Sequence, residues 1–176
     1  MHVLQWLVVE ADDKETSVSV AQALLEEEMG TGDSFNSWFD WFIIGGGRWN
    51  TEEAEGMFGR YETKTNMVIS FEDNPNDFRA KIDTLVQNRI TEYNQYLSEV
   101  KQIDIVAKLE NYGGVMTYDH TLYPLARLLS FQDGSWDYDS KFYDLVHYST
   151  NPTHILSKLD NNLGSNLFLV PVDFHF

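Results

Sequence analysis

The sequence predicts an α+β fold in a single domain over residues 1–176, with a mostly antiparallel sheet and helices on one face. Hydrophobic segments typical of strands stand near both ends of the chain, and strand and helix patterns alternate irregularly between them. A helical pattern also runs from Pro75 to about Ala107, roughly 30 residues and about 45 Å at the usual rise. We therefore expect a ferredoxin-like core with this one long helix packed across it.

Three segments predict the main strands. Val3 to Val9 is nearly continuous apolar sequence, which is typical of a central strand. Trp38 to Ile44 predicts a buried strand that ends in a glycine turn. In the C-terminal segment, alternate apolar residues share one face of an extended chain: Phe168, Val170, Val172, Phe174 and Phe176. Pro171 predicts an edge position for this strand or a local break in its ladder.

Capping residues predict where the helices begin. Glu15-Thr16-Ser17 can cap a first helix. Asn74-Pro75 predicts the start of the long helix, and Asn151-Pro152 the start of a later one, because Asn caps well and Pro suits the first helical position. Leu122 to Phe131 predicts a helix or an irregular apolar segment.

Composition excludes several classes of protein. Hydrophobic residues make up 43% and aromatic residues 14%, which excludes a disordered chain. The chain has no cysteine, which excludes a disulfide framework, a thiolate nucleophile and a cysteine zinc site. No apolar run approaches the roughly 20 residues of a membrane helix. A cytoplasmic location is the default for such a chain.

The net charge of −16 is the strongest compositional signal. Such a surface repels phosphate backbones and disfavours direct nucleic-acid binding, while it attracts basic partners. Solubility alone is the plain alternative, and mimicry of a polyanion is the more specific one. The candidate partner-binding acids are Glu26, Glu27, Glu28, Asp133, Asp137, Asp139 and Asp144. The four aspartates could also hold a cation, but they lack the register of a calcium loop, so a solvated acidic edge is favoured.

The segment Trp38–Trp49 carries the first candidate site. Two tryptophans and two phenylalanines lead into Gly45-Gly46-Gly47, and Arg48 then stands beside a third indole, Trp49. An arginine stacked on an indole is suited to a phosphate, a carboxylate or a base. The alternative is a structural clamp in which Arg48 pairs with Asp40 or with a carbonyl, and the tryptophans belong to the core. No Walker loop or dinucleotide fingerprint is present, and no cofactor is expected.

Asp173 and His175 form the second candidate site. Period two places both side chains on one face of a strand, about 7 Å apart. Such a pair could orient a water, bind a metal or act as acid and base, and Asp119-His120 could supply further ligands. Exposure at the end of a strand is the alternative, and we assign no metal site. His147 and His154 fall in different predicted elements, so their spacing implies no ligand set.

The two ends of the chain resemble a group of uncharacterised phage and bacterial proteins. These share an aromatic-Asp-Trp segment that runs into Gly-Gly-Arg-Trp, here Trp38–Trp49 with one extra glycine. They also end in a Val-Asp-x-His strand, here Val172 to His175. The group has no established activity. The resemblance implies a small phage-associated accessory protein, and many such proteins block host defence.

Two functional hypotheses follow. The favoured one is a binding protein: an acidic phage-type domain in the host cytoplasm that inhibits a basic host protein, such as a defence nuclease or another nucleic-acid-binding protein, as a DNA mimic or in an anti-CRISPR-like way. The competing one is a small enzyme or binding protein for a nucleotide or other anion. In it, Arg48 and Trp49 hold the ligand, Asp173 and His175 act as acid and base, and Arg48 converges with His175. A phage structural component is a third possibility.

Overall fold

The computed structural model describes residues 1–28, 38–50, 65–104, 106–107, 122–133 and 136–176. The strands are β1 (His2–Glu10), β2 (Trp41–Ile44), β3 (Ile69–Ser70), β4 (Phe142–Asp144) and β5 (Leu167–His175). The helices are α1 (Lys14–Glu28), α2 (Pro75–Val100), α3 (Tyr123–Asp133) and α4 (Thr153–Asp160), and a short 3-10 turn spans Gly47–Trp49. The candidate ligands Asp119 and His120 lie outside the described residues.

The chain divides into two compact units. The first comprises Met1–Val86 with Trp136–Phe176 and contains all the strands named above. The second, Gln87–Ser135, contains the rest of α2 together with α3, where the rings of Tyr96 and Tyr123 meet edge to face at 6.1 Å. A single domain over the whole chain stays a prediction.

The sheet is mixed and mostly antiparallel, in the order β2-β5-β1-β4 with β3 also paired to β5. β5 runs antiparallel to β1, β2 and β3, whereas β1 and β4 are parallel. The predicted α+β class and the mostly antiparallel sheet are therefore confirmed. β5 lies inside the sheet, so its position is central.

Pro171 marks a local break in the ladder of this central strand. On one side it lies opposite Trp6 of β1. On the other side, β2 pairs with β5 up to Val172 and β3 resumes pairing at Leu169, so Pro171 falls between the two ladders. A proline has no N–H to donate. Because Pro171 lies between the β2 and β3 ladders, neither ladder requires an N–H from this residue.

Helices cover both faces of the sheet, which corrects the expectation of one helical face. Phe168, Val170, Val172 and Phe174 share a core cluster with Val18, Ala21 and Leu25 of α1. The alternate residues of β5, Leu167 and Leu169, share another cluster with Phe78 and Ile82 of α2 and with Ile155 and Leu159 of α4. Strands buried on both faces have continuous apolar sequence, as β1 does. The ferredoxin-like arrangement is not confirmed.

Several predicted boundaries shift. α1 is capped by Asp13, which accepts the N–H of Thr16 at 2.7 Å, and not by residues 15–17. α2 ends at Val100 because Gln102 and Ile103 make three-residue turn bonds, and Asp104 then accepts the N–H of Ala107. The helices predicted after Asn151-Pro152 and within 122–131 are confirmed. Among the described residues, no helix combines the length and apolarity that crossing a membrane requires.

Candidate functional site at the end of the sheet

Strand register brings residues from the two ends of the chain together. His175 of β5 lies opposite His2 of β1 on one side and Trp41 of β2 on the other. Asp173 is the next residue of β5 on the same face. His2 contacts both of them: its Nδ1 lies 2.9 Å from Asp173 Oδ1, and its ring lies 4.8 Å from the ring of His175. Residues from opposite ends of the chain thus form one cluster.

The glycine triplet allows the chain to turn tightly against Asp173. Gly45, Gly46 and Gly47 all have positive φ angles, 91°, 97° and 47°, which glycine adopts without steric cost. A Cβ on Gly47 would lie 2.6 Å from Asp173 Oδ2, a distance at which one of the two groups must move. The turn then directs the backbone N–H of Arg48 to the same oxygen at 3.2 Å. The close approach requires glycine at position 47.

A pair of amide side chains stabilises this turn through hydrogen bonds. Asn50 is buried, and its Nδ2 donates to the carbonyl of Gly45 at 3.0 Å and to Oδ1 of Asn66 at 2.7 Å. Asn66 Nδ2 donates back to Asn50 Oδ1 at 3.0 Å. Neither amide was expected at the site, although Asn50 is a polar residue directly after the Gly-Arg-Trp segment.

Asp173 is the buried anchor of the cluster, with a side chain only 1% exposed. A buried carboxylate must be paired or hydrogen-bonded; Asp173 accepts from His2 and from the backbone of Arg48, and Arg48 Nε lies 4.0 Å from Oδ2. Because an ionised carboxylate only accepts hydrogen bonds, Nδ1 of His2 carries the proton. In the neutral form of this ring, the lone pair is on Nε2.

Arg48 contacts Asp173 and not Asp40, the partner that the clamp alternative proposed. Its side chain remains 57% exposed, and its Cζ lies 6.0 Å from the ring centre of Trp49. Its Nε faces the carboxylate, and within the described part of the chain the guanidinium has no other carboxylate partner. Among the described residues, the terminal nitrogens of the guanidinium thus face no carboxylate.

His175 joins the cluster through an indole and a carboxylate. Its ring stacks on Trp41 at 4.9 Å with planes 7° apart, and its Nδ1 lies 3.2 Å from Asp40 Oδ2. Trp41 is 43% exposed and Trp49 is 36% exposed. We call His2, Asp40, Trp41, Arg48, Trp49, Asp173 and His175 the sheet-end site. His2 was not expected at the site, and Trp41 was expected only within a buried strand, because the pairing of β1, β5 and β2 is what brings the two residues together.

The acidic candidates that the structure describes lie on different segments of the chain. Glu26 and Glu27 are exposed on α1, whereas the side chains of Glu28 and Asp133 lie outside the described residues. Half-buried Asp137 accepts the N–H groups of Asp139, also half-buried, and Ser140 in a local turn.

Asp144 requires a correction, because it is fully buried and cannot contribute to an exposed acidic surface. It accepts the N–H of Val146 at 2.9 Å and lies 2.6 Å from Nδ1 of His147. The ring of His147 stacks on His154 at 5.0 Å. These histidines meet because the loop after β4 leads directly into α4, which the separation of the predicted elements concealed.

In the described part of the chain, no group of three or more His, Asp or Glu side chains is placed to hold a metal ion. No protein-family model matches this sequence, and neither a curated protein nor a solved structure does. The resemblance to phage and bacterial proteins therefore stays a prediction. Function is therefore inferred from the geometry of the sheet-end site.

Proposed function

We propose that the protein binds a small anionic ligand with a planar ring, of which a nucleotide is the simplest class, at the sheet-end site. The observation that carries this proposal is the convergence of Arg48 and His175 on the His2–Asp173 pair. The anion-site hypothesis required that convergence, and residues so far apart in sequence meet only through the sheet.

Each part of the site suits one part of such a ligand. The guanidinium of Arg48 is a permanent, planar cation whose donors match phosphate oxygens. The partly exposed indoles of Trp41 and Trp49 suit a base, because a planar ring stacks well on an indole. Exposed tryptophans grouped on one surface are typical of a binding site.

The charge of the protein limits the size of the ligand. A long polyanion would meet the field of a chain with net charge −16 along its whole length. A mononucleotide or dinucleotide meets that field over a much shorter length, and its phosphate can pair directly with the guanidinium of Arg48. The site therefore favours a small ligand over a nucleic acid.

Isothermal titration with AMP, cyclic AMP, adenosine and inorganic phosphate tests the proposal. We expect a nucleotide to bind more tightly than adenosine or phosphate alone, and Arg48→Gln to weaken binding by about tenfold or more. Arg79→Gln is a matched control, because Arg79 also has a carboxylate partner, Asp160 at 2.9 Å, and an aromatic neighbour, Phe71 at 5.9 Å. Equal binding by the two variants, or no nucleotide binding by the wild type, would refute the proposal.

A second candidate function is binding to a basic host protein, in the host cytoplasm, as a polyanion mimic that inhibits host defence. The net charge of −16 and the exposure of Glu26 and Glu27 support it. Gel-shift competition with a panel of purified bacterial DNA-binding proteins tests it. We expect competition that weakens with salt and with the pair Glu26→Gln and Glu27→Gln. The same charge change at Glu72 and Asp83, both exposed on other elements, is the control.

A further inference from the structure

We infer that His2 and His175 form a general acid–base pair that hydrolyses a small phosphodiester, such as a cyclic nucleotide or a dinucleotide. The inference rests on the proposed function, because the substrate binds through Arg48 and the two exposed indoles. It goes beyond binding by assigning a reaction to the imidazoles.

His2 is held in one orientation. Its Nδ1 donates to buried Asp173, whose other oxygen accepts the N–H of Arg48, so this carboxylate cannot turn away. The ring also meets Trp41 and Trp49 edge-on, at 5.2 Å and 6.4 Å. With Nδ1 engaged, Nε2 is the nitrogen that can exchange a proton with a ligand.

His175 is oriented in the same way by different residues. Its Nδ1 contacts Asp40, and the stacked indole of Trp41 fixes the plane of the ring. The two imidazoles lie 4.8 Å apart with planes at 74°. The rings are thus in edge-to-face contact with each other, and each has its Nδ1 beside a carboxylate, so the two Nε2 atoms are the ring nitrogens left to serve one bound phosphodiester.

The reaction follows from this arrangement. The Nε2 of one neutral imidazole takes a proton from water while the water oxygen forms a bond to phosphorus. The bond from phosphorus to the leaving alkoxide breaks, and that oxygen takes a proton from Nε2 of the other ring, which begins as an imidazolium. A dinucleotide gives a phosphomonoester and an alcohol, whereas a cyclic nucleotide opens to one nucleoside monophosphate that carries both groups. Solvent returns both rings to their starting protonation. The guanidinium of Arg48 stabilises the charge that develops on the phosphoryl oxygens.

The second Asp–His pair of the chain provides a matched control. His147 contacts buried Asp144 through Nδ1 at 2.6 Å, as His2 contacts Asp173, but its ring stacks on His154. β1 and β4 are parallel and Asp144 pairs with Val8, so this pair lies toward the other end of β1 from His2. Removing a buried carboxylate–imidazole contact could lower activity through a general structural effect. In that case His147→Gln would lose activity as well.

The test measures hydrolysis of bis(p-nitrophenyl) phosphate, 2′,3′-cyclic AMP and diadenosine monophosphate by the wild type and by His2→Gln, His175→Gln and His147→Gln. We expect each of the first two variants to lower kcat by about 10²–10⁴-fold with little change in KM, and His147→Gln to retain wild-type activity. The wild type should have a bell-shaped pH profile, and each of the two variants should lose one limb of it. Added imidazole should restore activity to His175→Ala, which guards against misreading a folding defect.

The outcomes separate this inference from the proposed function. Nucleotide binding without any turnover by the wild type overturns the acid–base assignment and leaves binding intact. Turnover that survives in both His2→Gln and His175→Gln also overturns it. If no nucleotide or diester binds at all, the proposed function fails together with the inference.

Discussion

The buried carboxylate of Asp173 ties His2 to the opposite end of the chain, 171 positions away, with 2.9 Å between Oδ1 and Nδ1. Its second oxygen accepts the N–H of Arg48 at 3.2 Å. One side chain therefore stabilises the junction of β1, β5 and the glycine turn and also orients the exposed rings. Stability and ligand binding should be coupled at this residue.

Replacing Asp173 should destabilise the protein. Asp173→Ala leaves the His2 Nδ1–H and the Arg48 N–H without their acceptor in a buried position, which costs about 2–4 kcal/mol. Asp173→Asn keeps one acceptor oxygen and should cost less. Urea unfolding at neutral pH measures both values. A loss below about 0.5 kcal/mol for Asp173→Ala would contradict the role of Asp173 as a buried anchor.

The glycine turn gives a paired prediction. Gly46→Ala and Gly47→Ala should each cost more than about 1 kcal/mol, because both positions have positive φ. Their local effects should differ: a Cβ at 46 meets the thioether of Met67 at 2.8 Å, the flexible part of that side chain, whereas a Cβ at 47 meets the carboxylate of Asp173.

Only Gly47→Ala should therefore displace Asp173 and change the environment of His2. Nitrogen-15 NMR of the histidine rings reports this directly. Equal perturbation of the His2 resonances by both variants would show that the approach of Gly47 to Asp173 does not position the imidazole.

Asp144 should behave as a structural residue. Asp144→Ala removes the acceptor for Val146 N–H and for Nδ1 of His147 in a fully buried position, and we expect a loss of about 2–4 kcal/mol. The exposed substitutions Glu26→Gln and Glu27→Gln should change stability by less than about 0.5 kcal/mol. Chemical denaturation distinguishes the two classes, and a silent Asp144→Ala would contradict the burial of this acid.

The cap of α1 should make part of the stability dependent on pH. The pKa of Asp13 lies below its usual value, chiefly because its carboxylate accepts the backbone N–H of Thr16. Since the pKa in the folded state is below that of the unfolded chain, the ionised form favours folding. This contribution is fully present above the unfolded pKa of about 3.9 and is lost as the pH falls through the folded value.

Asp13→Ala should thus be less stable than the wild type at pH 7, and the difference should shrink between about pH 5 and pH 2. Urea unfolding across this range measures it. Asp12→Ala removes the same charge from the neighbouring position and serves as the control. A difference between wild type and Asp13→Ala that grows on acidification would reverse the assigned sign.

Local signals predicted much of the fold. The apolar run of β1, the alternation along β5 and the Asn-Pro starts of α2 and α4 are each contained in a few consecutive residues. The arrangement of helices on both faces was not predicted, because β1 is apolar on both faces and the sequence does not specify which helix covers which face. The central position of β5 was also hidden, because Pro171 is compatible with an interior strand only where β2 gives way to β3.

The sheet-end site was likewise predicted only as far as local signals reach. Arg48, Trp49, Asp173 and His175 were identifiable from residue type and short spacing. His2 and Trp41 complete the site only through the register of three strands, which is a long-range property. Asp144 was misjudged because the aromatic and acidic alternation around it is typical of an exposed segment. The contact with His147, three residues later, is what allows that carboxylate to be buried.

The pairing of β1 with β5 has a consequence for biosynthesis. His2 pairs with His175, so the sheet closes only after β5 has left the ribosome. Topologies dominated by such distant pairings have high contact order and fold slowly. Until then β1 lacks its hydrogen-bonded partner strand β5, although Trp6 to Val9 of β1 are buried in the native state. Unpaired apolar strands favour aggregation, so the rate of β5 docking should limit the yield of folded protein.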